Sequence, residues 1–163
     1  LMSFSDEVRR FLPPRKSRGH AWAVLKAAFE REGEGGGTDI AGALEQIGKA
    51  LTRRAVVCVV SDFLSDTPFH RQLSILTSRH KLSCFLVHDP MEQGFPDVGL
   101  ITLQDAETGQ RRLVDGSALS PASVLESRLA EIRRTGAHVT PISTTEDPFI
   151  LLLRHFKRLE HLR

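Results

Sequence analysis

Two positions in this 163-residue chain carry hard oxygen donors in settings that suit chemistry. Thr38 closes the glycine-rich run GEGGG, and Asp62 follows the apolar stretch AVVCVV at positions 55–60. A hydroxyl and a carboxylate brought together from separate loops are the donor types that Mg²⁺ takes, alongside several waters, in octahedral geometry. Each residue also has an ordinary structural use. A threonine ahead of an apolar-periodic stretch caps a helix, and an aspartate after a strand caps a turn. Spacing alone leaves both uses open.

Other constellations are poorer in chemistry. His88-Asp89 has the form of an acid-base pair, since a carboxylate orients an imidazole, but no serine or cysteine nucleophile in a recognisable turn accompanies it. Neither Gly-x-Ser-x-Gly nor a paired-histidine zinc motif occurs, and the seven scattered histidines are expected to be structural. GEGGGT shares only its glycine content with a phosphate loop, because no Gly-Lys-Ser/Thr follows. RRFLPPRKSRGH holds five Arg or Lys residues without regular aromatic spacing, as a solvated turn does. With a net charge of +2, the whole molecule has no strong pull towards nucleic acid or an anionic membrane.

To position Thr38 and Asp62, the pattern predicts alternating strands and helices. Leu1 to Phe4 and Val8 to Leu12 read as an edge hairpin ended by Pro13-Pro14. Ala21, Val24, Leu25, Ala28 and Phe29 recur at helical spacing over about His20 to Arg31. Thr38 is the expected N-cap of a second helix with Ile40, Ala43, Leu44, Ile47 and Leu51 on one side. The β-branched run AVVCVV is expected to be a strand covered on both faces. A helix from about Thr67 to Arg79 then leads to the strand LSCFLVH.

Around Thr108-Gly109, two antiparallel strands form an inserted hairpin near residues 98–115. Ser120-Pro121 opens a helix that stops at Gly136, Ala137 to Ile142 makes a strand, and Phe149, Leu152, Leu153, Phe156 and Leu159 line a C-terminal helix. The fold class is therefore α/β: a doubly wound, mostly parallel sheet with helices on both faces, in which ligands gather at the carboxyl ends of the strands. The length suits one domain over 1–163. No run of about 18 apolar residues crosses a bilayer. Two unframed cysteines and no signal-peptide pattern at the start point to reduced thiols and a cytoplasmic setting.

GGTDIAGAL followed by VVCVVSDF resembles the second and third metal-site motifs of von Willebrand factor A-like domains. Together with SFSDEVRRFLPPRKS, HDPMEQGFPDVGLITLQDAETGQ and VDGS, the order and spacing are similar to the bacterial family of unknown function whose A-like domain is typically encoded beside MoxR-type AAA+ ATPases. The resemblance implies that Thr38 and Asp62 are metal ligands, with Asp39 and Phe63 beside them on a partner-binding edge. It implies Mg²⁺ or another divalent cation as cofactor and a MoxR-type ATPase or one of its clients as protein partner.

The family pattern also expects Asp-x-Ser-x-Ser after a first, central strand, and neither stands in this sequence. The domain is therefore expected to be N-terminally incomplete, to hold metal weakly, and to leave a gap in its sheet that the full protein or a second copy fills. The function expected is a non-enzymatic interaction module. The alternative is a phosphatase- or nuclease-type hydrolase using Asp62 and Asp89 on a cation, which would want further carboxylates converging at the strand ends.

Overall fold

The computed structural model describes residues 1–30, 37–90, 100–104, 111–115 and 121–160. The chain opens on the expected hairpin, in which β1 (Met2–Phe4) pairs antiparallel with β2 (Val8–Phe11). Helix α1 (Arg18–Phe29) begins two residues before the predicted His20, because the Ser17 side chain accepts a hydrogen bond from the His20 N–H at 3.1 Å. Its packing differs from the expected apolar face. Only Ala27 is buried, while Leu25, Phe29 and Trp22 are exposed, Phe29 at 82%.

Helix α2 (Ile40–Ala50) carries a correction of one residue at its start. Asp39, and not Thr38, is the N-cap: its carboxylate accepts the Gly42 N–H at 2.9 Å. Aspartate competes well for this position, and the spacing to the third helical N–H suits it. Ile40, Ala41, Ala43 and Leu44 are buried against the core.

Strand β3 (Val56–Ser61) runs parallel to β4 (Lys81–His88), and β4 runs parallel to β7 (His138–Ser143), giving a three-stranded sheet in the order β3-β4-β7. Helix α3 (His70–Arg79) joins β3 to β4 and starts later than Thr67, with Phe69 at its cap. Strands β5 (Leu100–Gln104) and β6 (Arg111–Asp115) pair antiparallel, as expected of the inserted hairpin, whose turn at 105–110 lies outside the described residues. Helix α4 (Pro121–Arg134) ends before Gly136, whose φ of +83° is a conformation glycine adopts without strain. Its predicted cap, Ser120, lies outside the described residues. Helix α5 (Pro148–Glu160) closes the described chain.

Register explains which helix lies where. Val59 faces Cys84 and Cys84 faces Val139, so these three share one side of the sheet, where Leu73 and Leu76 of α3, Leu129 and Ile132 of α4, and Ile40 and Leu44 of α2 complete the core. On the opposite side Ser83 and Phe85 of β4 meet His155 of α5. Alternation also puts Cys58 and Cys84 on opposite faces, and both are free thiols. Burial, with a smaller contribution from Cys58, pushes the Cys84 thiol up to about 12.

Two further expectations are corrected here. The run in β3 is not covered on both faces: Val57 and Val59 are buried, but Val56 and Val60 are each 62% exposed, because β3 is the edge strand and α5 packs over β4 and β7. Helix α5 buries His155, with Leu151, Leu152 and Leu159 half-buried, whereas Phe149, Leu153 and Phe156 are exposed. The face it presents to the sheet is rotated from the one predicted, since His155 donates and accepts within a polar pair on the sheet surface that Leu or Phe would leave unsatisfied. No helix among the described residues is long and apolar enough to cross a membrane.

Candidate functional site

All three strands of the sheet are parallel, so their carboxyl ends share one edge, and that edge carries the candidate residues. Asp62 immediately follows β3, and Asp89 immediately follows the neighbouring β4. Both side chains sit in exposed residues. Within the turn after β3, Asp62 Oδ1 accepts the Leu64 N–H at 3.0 Å and the Ser61 hydroxyl at 3.4 Å, and Ser61 Oγ accepts the Phe63 N–H at 3.0 Å. These local bonds are the turn-capping use that an aspartate after a strand commonly has. They fall on one carboxylate oxygen only.

Phe63 sits in the left-handed region, with φ of 56°. For a residue with a Cβ that conformation costs roughly 1 kcal/mol or more. The turn it makes sends its ring back into the core, where it is 4% exposed and lies 5.7 Å from the Phe69 ring, while Asp62 remains outside. Phe63, expected on the partner-binding edge, has its ring buried in a packing role.

Thr38 and Asp39 arrive from the other side. Their segment is tied to the hairpin by the Asp39 N–H, which donates to the Ser5 carbonyl at 2.7 Å. It is tied to the turn after β3 by Ser65, whose hydroxyl donates to the Thr38 carbonyl at 3.0 Å. The two segments predicted to carry ligands are thus joined in space. From the far side, Arg128 of α4 donates to the Asp62 carbonyl at 3.1 Å, and Glu131, one turn further on, lies 3.1 Å from His70. Ser65 and Arg128 were not singled out by motif. The Ser and Asp residues of SDFLSD after an apolar strand are the only signal for Ser65, and an arginine inside an amphipathic helix gives none.

Thr38 and Asp62 supply oxygen donors that fit a hard divalent cation, but two side chains leave most of an octahedral shell to water. Asp39 spends a carboxylate oxygen on its helix cap. Among the described residues, no group of three or more His, Cys, Asp or Glu gathers in a way that could hold a metal. Residues 33–36 of the GEGGG loop at 33–37 lie outside the described residues.

A second surface feature adjoins the site. A groove of about 380 Å³ separates the hairpin from the free edge of β3 and is lined by Met2, Phe4 and Phe11, by Leu44 and Ile47 of α2, and by β3 itself. Among the described residues β3 has a strand partner on one side only.

Known proteins place the chain. At 30% identity over 155 residues it is similar to "Uncharacterized protein MAV169" of Mycobacterium avium, covering 90% of this chain and 92% of that one. It is also 30% identical over 145 residues to "Uncharacterized protein Rv1480" of Mycobacterium tuberculosis, where 83% of this chain spans 46% of the relative. Among solved structures it resembles the conserved hypothetical protein BatB from Bacteroides thetaiotaomicron, with a TM-score of 0.56 at 13% identity, over 98% of this chain and 76% of that one. An aerotolerance-related membrane protein from Bacteroides fragilis gives a TM-score of 0.53 at 16% identity, over 89% of this chain and 70% of that one. At those identities the likeness concerns fold alone. The profile of one family covers residues 1–123, and the chain belongs to that family, described as protein of unknown function DUF58.

Proposed function

We propose that this chain is a non-enzymatic interaction module of von Willebrand factor A-like type, whose working surface is the carboxyl edge of the sheet at Thr38, Asp39 and Asp62. A divalent cation of the Mg²⁺ kind would bridge that edge to an acidic group on a protein partner, here a MoxR-type AAA+ ATPase or one of its clients. The observation that carries the reading is the Ser65 bridge, which brings the Thr38 segment beside the turn bearing Asp62 although the two are far apart in sequence. When bound, the cation would supply a positive centre for a partner carboxylate. Thr38 and Asp62 would hold it, and the bonds from Leu64 and Ser61 fix the orientation of the Asp62 carboxylate.

The hydrolase alternative has less support. Asp62 and Asp89 do leave adjacent parallel strands at one edge, but hydrolysis on a cation wants additional converging carboxylates. Calorimetry of the chain with a purified MoxR-type ATPase, in Mg²⁺ and again in EDTA, tests the binding reading. Affinity lost with the chelator supports it, and affinity unchanged by EDTA removes the metal from the account.

The groove beside β3 supports one further part of the proposal, self-association. A strand added along the free edge would satisfy its backbone groups and bury Val56 and Val60. Sedimentation velocity across a concentration series should show dimerisation that Val60→Lys abolishes, and a strict monomer at high concentration would remove this part.

A further inference from the structure

We infer that Ser65 is the positioning residue of the candidate site, setting the separation between Thr38 and Asp62, with Arg128 as the second clamp. The inference rests on the reading of Thr38 and Asp62 as a cation-holding edge.

The two donors stand on segments with no covalent restraint between them closer than the whole of α2 and β3. Two hard ligands select a small octahedral ion only if their spacing is held, since Mg²⁺ tolerates little departure from ideal geometry. Ser65 links the two segments: its hydroxyl donates to the Thr38 carbonyl at 3.0 Å, with the Thr67 carbonyl a longer second acceptor at 3.3 Å, and the Thr67 N–H donates to Ser65 Oγ at 3.3 Å and keeps it in place. The Thr38 carbonyl belongs to the residue whose hydroxyl is the proposed ligand, so moving one moves the other. Arg128 acts on the opposite member of the pair, holding the Asp62 carbonyl from α4. Neither side chain needs to touch the ion. Both act through the backbone of a residue that does.

The arrangement also explains the strained turn. With φ of 56° at Phe63, the chain reverses directly after Asp62, and this reversal carries Ser65 back to the Thr38 segment. Backbone strain persists where surrounding structure over-determines it, and here the buried Phe63 ring and the Ser65 bridge both do so.

The test uses Mn²⁺ as the probe ion, its binding followed by loss of the free-ion electron paramagnetic resonance signal, together with amide hydrogen exchange. Ser65→Ala should bind Mn²⁺ about five- to tenfold more weakly, the loss expected for one removed hydrogen bond. Its urea midpoint should fall only modestly, as one lost hydrogen bond allows, exchange over 37–39 should rise, and Ser65→Thr, which keeps the hydroxyl, should restore binding. Arg128→Met, which removes the donor and keeps much of the aliphatic stem, should weaken Mn²⁺ binding independently of Ser65. Wild-type affinity in Ser65→Ala overturns the inference. If the wild type itself binds no Mn²⁺, the cation reading fails, and the positioning claim is decided by exchange alone: raised exchange over 37–39 in Ser65→Ala upholds it and unchanged exchange overturns it.

Discussion

Gly42 offers a sharp test of how the site is built, because the residue that caps α2 also bounds the Thr38 segment. A Cβ built at Gly42 would overlap the Asp39 carboxylate oxygen Oδ2 and lie 3.0 Å from its Cγ. In Gly42→Ala the Asp39 carboxylate must shift, which weakens its bond to the residue-42 N–H. Losing an N-cap costs about 1 kcal/mol, within a range of about 0.5–2, and replacing glycine by alanine inside a helix returns up to about 1 kcal/mol. The two nearly cancel, so Gly42→Ala alone should change stability by less than about 1 kcal/mol. In an Asp39→Ala background the cap is already gone, and the same substitution should stabilise by about 1 kcal/mol. The coupling between the two positions is then about 1 kcal/mol or somewhat more, measured by urea unfolding of the four-protein cycle. If Gly42→Ala stabilises the wild type as much as it stabilises Asp39→Ala, the Asp39 cap is not the bond described.

Three further outcomes follow from the packing. Leu73→Ala, at a fully buried position between α3 and the sheet, should cost about 3 kcal/mol in chemical denaturation, with a cost under about 1 kcal/mol arguing that this core is not formed. At position 63, Phe63→Gly should be more stable than Phe63→Ala by about 1 kcal/mol, since only the alanine keeps a Cβ in the left-handed region, and both should be less stable than the wild type. His155 lies buried between Thr140 and Ser83, and burial first, then Arg158 and His138, holds its imidazole below the ordinary histidine range. The folded form therefore binds a proton less readily than the unfolded form, so its contribution is complete above the unfolded value near 6.5 and is lost as pH falls through the folded value. Thermal melts from pH 8 to 5 should show a steeper acid decline for the wild type than for His155→Gln, and parallel declines would refute the assignment.

Much of the architecture is legible in the sequence because periodicity and punctuation agree. AVVCVV becomes β3 on its β-branched content and LSCFLVH becomes β4 as a short, mostly apolar run stopped at Asp89-Pro90, and Gly136 stops α4 because its positive φ suits glycine. What the pattern misjudges is how far each apolar residue is covered. Phe149, Leu153 and Phe156 have the spacing of a buried stripe, yet His155 faces the sheet, because Ser83 and Thr140 supply hydrogen bonds that a sequence window cannot see. Val56 and Val60 likewise read as core until strand order puts β3 at an edge.

The candidate site divides in the same way. Asp62 stands where a strand-end aspartate is expected, while Thr38 yields the cap to Asp39, and Phe63 turns inward. Ser65 and Arg128 matter through long-range bonds to backbone carbonyls, which leave no spacing signature.

In the proposed function the Thr38 and Asp62 segments form one cation-holding edge. Titrating substoichiometric Mn²⁺ into ¹⁵N-labelled protein and recording amide relaxation tests it most directly, since paramagnetic broadening detects even weak and transient occupancy near the ion. Amides of 37–39 and 62–65 should broaden first and together, and Asp62→Asn should suppress both sets. Broadening that begins elsewhere, or that touches only one of the two segments, would contradict it.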